Sequence, residues 1–293
     1  MRSGGGIGNQ LFNYAASRSL ADRLKTDLVI DAVDYMTQWG ETSTVTRPFV
    51  LHRFPIRANF RNIGPSPKRQ WIGKKLVRRL REDAFTVQVD RGSDQISFFP
   101  EFLKLGSRCI LKGHYIDPRF FLENELFIRN DLTLTESNFN DCYSKEKIKI
   151  IRESNSVSVH VRRGDLLDPA NSWILLPDME RYYEKAFDLI ERRLINPTLY
   201  IFSDDPAWCR EAFRHVTLPI VYASTSNNFD PLRDFYLMTQ CTHHVIANST
   251  FSWWSAWLAR SKEKQVIAPF RWEKKGVIDM EHFIPDEWTR IFW

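Results

Sequence analysis

The chain is expected to be an α/β protein whose second half is built on a doubly wound parallel sheet. After residue 155, β-branched and aromatic runs at 156–161, 198–203, 219–223, 243–247 and 265–268 alternate with helix-spaced segments. That is the pattern of repeated strand–helix units. Three of the runs also end in groups suited to an anionic or hydroxyl-rich ligand, and such sheets bind ligands beyond the carboxyl ends of their strands.

The first half opens on Gly4-Gly5-Gly6-Ile7-Gly8, which leads into a helix at about 9–24 with Leu11, Phe12, Ala15, Ala16, Leu20 and Leu24 on its buried side. Glycine loops let a ligand come close to the backbone, and they bind phosphate when a strand feeds them. Only Met1, Arg2 and Ser3 precede this one, so either an earlier strand is missing or the loop has a different entry. Leu28-Val29-Ile30 reads as a strand ending in Asp31, and 40–66 reads as irregular. Residues 68–81 hold seven Lys or Arg, with Ile72, Leu76 and Leu80 at helical spacing. This segment is either a basic amphipathic helix adhering to an anionic membrane surface or a solvated helix packed on its own domain. Strand-like pieces follow at 85–89 and 108–111. The polar stretch 141–155 reads as a linker, giving expected domains of 1–150 and 151–293.

In the second half, alternation along 156–161 sends Val157, Val159 and Val161 to one face and Ser158 and His160, continuing to Arg162, to the other. Two adjacent arginines at the edge of a buried strand are costly without an anion. Asp165 can neutralise one of them, but His160, Arg162 and Arg163 together outweigh it. Guanidinium forks suit a diphosphate. Asp204 and Asp205 end the next strand. An aspartate there can accept from guanine or from ribose hydroxyls, whereas Asp205 before Pro206 suits a helix cap. Asn248-Ser249-Thr250-Phe251-Ser252 places hydroxyls and amides at the positive end of a helix, fit for a phosphate or for ordinary capping. Trp253, Trp254 and Trp257 are expected to pack.

Net charge +5 and a pI near 9 favour anionic partners. The four cysteines form no CxxC, so neither zinc nor a redox pair is indicated, and reduced thiols are expected. No apolar run is long enough to span a bilayer. With no DxD in the chain, arginines and helix-end charge would have to neutralise a diphosphate in place of a metal. The missing G-x-x-x-x-G-K-[ST] argues against a P-loop NTPase. The glycine loop lacks the feeding strand of a dinucleotide dehydrogenase, and no nucleic-acid motif is present.

Four stretches, Gly5–Ala15, Val159–Asp165, Phe202–Asp205 and Asn248–Leu258, together resemble the α-1,2-fucosyltransferases of glycosyltransferase family 11, in the expected order. The resemblance implies a GT-B-like fold of two Rossmann-like domains facing a cleft. The 1–150 domain would bind the acceptor and the 151–293 domain GDP-fucose. It further implies inverting, metal-independent transfer of L-fucose to the 2-hydroxyl of a terminal β-galactoside, with no cofactor. By position, Arg162 would stabilise the departing diphosphate, supported by His160 and Arg163. Ser203 and Asp204 would meet the nucleoside, and Asn248, Ser249, Thr250, Phe251 and Ser252 the pyrophosphate. Gly6 and Gly8 would line the donor, Asn9 would face the reaction centre, and Asp165 is a candidate base or a support for an arginine. Leu166 stands where the family often has an aromatic residue. The acceptor would be a galactose-terminated glycan such as an O-antigen, lipid-linked during growth, and the enzyme would work in the cytoplasm or at the inner membrane face. Fucose transfer in another linkage and a non-catalytic nucleotide-sugar or glycan-binding protein are the alternatives.

Overall fold

The computed structural model describes residues 1, 5–32, 48–61, 87–91, 95–171, 173–224 and 230–293. They form two units, Met1–Thr133 and Leu134–Trp293. Both are α/β with parallel strands, as expected for the GT-B-like class.

In the first unit, α1 (Ile7–Arg23) is followed by β1 (Val29–Asp31), which pairs in parallel with β2 (Asn59–Arg61). Strand β3 (Val87–Arg91) pairs in parallel with β4 (Cys109–Gly113), and α2 (Glu125–Asp131) follows. Strand β2 lies inside the stretch read as irregular. The basic segment 68–81 lies outside the described residues. The Met1 amino group donates to the Val29 carbonyl at 2.8 Å and its carbonyl accepts from the Asp31 amide at 3.1 Å, so Met1 sits opposite Ile30 as a parallel bridge.

Helix α1 was expected to bury one side, yet Gln10, Asn13, Ser17, Arg18 and Ser19 are buried along with its apolar residues. Internal partners make this tolerable. Asn13 Oδ1 accepts from the Tyr115 amide at 3.0 Å, and the Tyr14 hydroxyl donates to Asp131 at 2.8 Å. Arg18 pairs with Asp131 at 3.3 Å and also with Asp22.

The second unit begins before residue 150, which corrects the expected boundary. Residues 141–155 are mostly a helix, α3 (Cys142–Glu153), capped by Asp141, whose carboxylate accepts from the Ser144 amide at 2.9 Å. Its buried stripe is Ser144, Ile148 and Ile151. A single narrow stripe among lysines looked like linker composition, but the spacing is helical.

There follow β5 (Asn155–Val161), α4 (Met179–Arg193), β6 (Pro197–Ser203), α5 (Pro206–Ala212), β7 (Ile220–Tyr222) and α6 (Pro231–Gln240). Next come β8 (His243–Val245), α7 (Thr250–Leu258), β9 (Val266–Pro269), α8 (Met280–Phe283) and β10 (Thr289–Ile291). Neither α8 nor β10 was foreseen from the sequence. All six strands are parallel, in the order β10-β9-β8-β5-β6-β7. Counted from β5, this is the 6-5-4-1-2-3 order of a doubly wound nucleotide-binding sheet. Val157, Val159 and Val161 sit in one core with Tyr182, Tyr183, Phe187, Leu199, Ile201 and Phe213, as the alternation required.

Candidate active site

In a sheet of this order the chain turns opposite ways on leaving β5 and β8, and the resulting crevice at their carboxyl ends is the standard ligand position. The β5 end carries Arg162, Arg163 and Gly164; the β8 end leads through Asn248 and Ser249 into α7. Topology thus brings together two of the three strand ends picked out by sequence, and β6, with Ser203 and Asp204, adjoins β5 on the other side.

The two arginines are placed differently. Arg163 is held by the protein: its Nε lies 3.3 Å from Asp205 Oδ2 and its guanidinium stacks 4.3 Å from the Trp208 ring centroid. Arg162 follows the last residue of β5 directly and is half-exposed at the crevice. His160 packs its ring against Phe251 at 5.2 Å, so the strand face and the α7 start are in contact. Phe251 in turn meets Phe235 edge-on at 5.4 Å. The Asp165 side chain lies outside the described residues, and Leu166 is buried.

Asp204 Oδ1 accepts from the Arg163 amide at 2.8 Å and its Oδ2 from the Gly164 amide at 3.0 Å. Asp205 is the expected cap, accepting from the Trp208 amide at 3.0 Å. Ser203 is tied in as well. Its amide donates to Ser224 Oγ at 3.1 Å and its hydroxyl accepts from the Asp205 amide at 2.9 Å. Ser224 donates on to Asp234 at 2.6 Å. Burial pushes the Asp234 carboxyl from 3.8 up to about 6, against the Ser224 hydrogen bond and the Arg233 charge. Burial likewise pushes the Cys209 thiol up to about 11.

At the β8 end, Asn248 is a staple. Its buried Nδ2 donates to the Ile174 carbonyl at 2.8 Å and the Trp272 carbonyl at 2.9 Å. It thereby fastens two neighbouring loops to the turn. Ser249 is the N-cap residue of α7 but makes no side-chain cap bond, which leaves the positive helix end to be satisfied in another way, as at an anion site. The Ser252 hydroxyl turns back to the Ser249 carbonyl at 3.2 Å, and Ser252 is fully buried. The tryptophans pack as expected: Trp253 and Trp254 are fully buried, and Trp253 stacks on Trp257 at 5.9 Å.

Three buried polar residues, Asp234, Glu273 and Gln10, were not singled out from sequence. The Glu273 carboxylate accepts from the amides of Lys275, Gly276, Val277 and Ile278 at 2.6, 2.8, 2.6 and 3.1 Å. This fixes the loop that Asn248 staples. In the first unit Gln10 does similar work, donating to the Gly5 and Pro48 carbonyls at 3.2 and 2.9 Å and accepting from the Val50 amide at 3.0 Å. Gly5 there has φ +87°, and Gly6 caps α1 with no side-chain bond. Gly8 is buried within α1 and Asn9 is half-buried under Gly5.

Comparison with known proteins gives the family. The model of Glycosyl transferase family 11 matches residues 101–291. An α-1,2-colitosyltransferase of Escherichia coli is 30% identical over 99% of this chain and 97% of its own length. The O-antigen biosynthesis glycosyltransferase WbnK, also of Escherichia coli, is 29% identical over 96% and 97%. Galactoside α-(1,2)-fucosyltransferase 2 of Bos taurus is 38% identical over a shorter stretch, 37% of this chain and 32% of that one. The chain is a glycosyltransferase, and it belongs to family 11.

Proposed function

We propose that the chain is an inverting, metal-independent galactoside α-1,2-fucosyltransferase that moves L-fucose from GDP-fucose to the 2-hydroxyl of a terminal β-galactoside. One observation carries this: Arg162 and the α7 start stand at the order reversal of the sheet in a chain of family 11. Transfer leaves negative charge on the diphosphate, and a fixed guanidinium with a helix N-terminus stabilises charge that develops there. Ser249, Thr250 and Phe251 are assigned to the diphosphate side with Arg162. Ser203, Asp204, Asn248 and Ser252 are assigned to holding that wall in shape. The part given to Asn9 rests on the family resemblance alone. A surface glycan such as an O-antigen is the proposed acceptor, in line with the names of the two Escherichia coli relatives. The basic segment 68–81 is assigned to contact with an anionic membrane at the cytoplasmic face.

A colitosyl donor is the second reading, because the relative that matches over 99% of the chain carries that name. A colitosyl group lacks only the 3-hydroxyl of a fucosyl group. Incubation with GDP-fucose or GDP-colitose, a panel of β-galactosides and EDTA separates the two. Fucose transfer in α-1,2 linkage by NMR, undiminished by EDTA, is expected. Transfer from GDP-colitose alone overturns the donor assignment, and loss of activity in EDTA overturns metal independence.

A further inference from the structure

We propose that Asp204 is a positioning residue for the diphosphate wall: its carboxylate sets the backbone at Arg163–Gly164, and so the direction of Arg162, and does not read the nucleoside. This rests on the GDP-dependent function proposed above. Each carboxylate oxygen is used by one of two consecutive amides, at 2.8 and 3.0 Å, a charge-assisted pair of bonds. The carboxylate also lies against the bare Cα of Gly164. A Cβ built there would stand 3.0 Å from Oδ2 and 3.3 Å from Cγ, so a side chain at 164 crowds the clamp and the carboxylate must give by a few tenths of an ångström.

Asp204 is itself held from both sides. The amide before it is bonded to Ser224 Oγ and the amide after it to Ser203 Oγ. The Arg163 guanidinium is drawn to Asp205 and Trp208, so both the amide and the side chain of Arg163 are committed within the fold. What the clamp orients is the residue before it, Arg162, at the exit from β5. A nucleoside-reading aspartate would keep its oxygens for the base or ribose; here the two strand ends are laced together through them.

The test combines Asp204→Asn, Gly164→Ala and the double variant. In the nucleotide-free protein, Asp204→Asn should speed hydrogen exchange at the Arg163 and Gly164 amides at least about tenfold, since one neutral oxygen cannot serve both. Each single variant should lower kcat/KM by about 10²-fold, the cost of a misplaced catalytic group, and the double variant should be no worse than the weaker single one. Affinity ratios for GDP over IDP and over 2′-deoxy-GDP, measured by calorimetry, should stay at the wild-type value. Unchanged exchange, additive losses or a shifted nucleotide ratio would each overturn the proposal. Gly164→Ala leaves Asp204 in place, so normal activity in that variant overturns it even if Asp204→Asn does not fold. The exchange measurement needs no nucleotide, so failure of the clamp is distinguishable from failure of the GDP-fucose assignment.

Discussion

Replacing Asp234 with asparagine should remove a pH dependence from the stability of the second unit. Asp234 is 4% exposed, its Oδ2 accepts from Ser224 at 2.6 Å, and among the described residues its buried Oδ1 has no hydrogen-bond partner. Burial is the largest influence and raises the carboxyl from 3.8 to about 6; Ser224 and Arg233 pull it down, and Asp230 adds a smaller upward push. A raised carboxyl binds its proton more tightly in the folded state. The stabilisation is full below pH 4, falls as pH rises through 6, and is gone above that. At about 1.4 kcal/mol per pH unit of displacement, it amounts to roughly 3 kcal/mol. Asparagine offers Ser224 the same acceptor and never ionises. Urea unfolding from pH 4 to 7.5 should therefore show wild type losing roughly 3 kcal/mol relative to Asp234→Asn. Parallel stability curves for the two proteins would refute the reasoning.

Three further outcomes are expected. Arg162→Ala should lower kcat/KM by about 10²-fold or more, the value of roughly 3 kcal/mol of leaving-group stabilisation; normal turnover of GDP-fucose would remove Arg162 from the reaction. Asn248→Ala leaves two carbonyls without their donor and should cost about 2–4 kcal/mol, a fall in Tm of roughly 5–15 °C by calorimetry; an unchanged Tm with weaker GDP binding would make Asn248 a ligand instead of a staple. Gly5→Ala must adopt φ +87° and would bring a Cβ to 2.7 Å from Asn9 Nδ2, costing about 1–3 kcal/mol of strain; circular-dichroism melts matching wild type would show that the loop relaxes.

The strand ends were legible because alternation and β-branching report on a buried strand whatever surrounds it. Val157, Val159 and Val161 went to the core as read, and the exits from β5 and β6 fell where the sequence placed them, whereas β8 ends at Val245, two residues before the expected 247. The partners of those exits were not legible. Asp204 reaches back 40 residues to Gly164 and Asn248 reaches 74 to Ile174, and no local pattern records such pairings. A capping or ligand-reading residue and a long-range staple have the same composition. Helix α3 was missed because one stripe, Ser144, Ile148 and Ile151, is all it buries. Gln10 and Glu273 were passed over because such residues are usually exposed; here several backbone groups converge on each.

The strand order has a consequence for how the protein is made. Strand β8 lies beside β5 with Val157 opposite His243, so the crevice joins segments nearly ninety residues apart in sequence. Strands β5 and β6 are nearer neighbours in the chain and can pair early, but their Arg162 exit has no opposite wall until β8 and α7 insert on the other side. Such a long loop closure is slow to pay back its entropy. The crevice should therefore be among the last features to form on the ribosome-emerging chain. A nascent protein halted before residue 250 would carry Arg162 with no helix end to face, and an unfilled sheet edge open to chaperones or to aggregation.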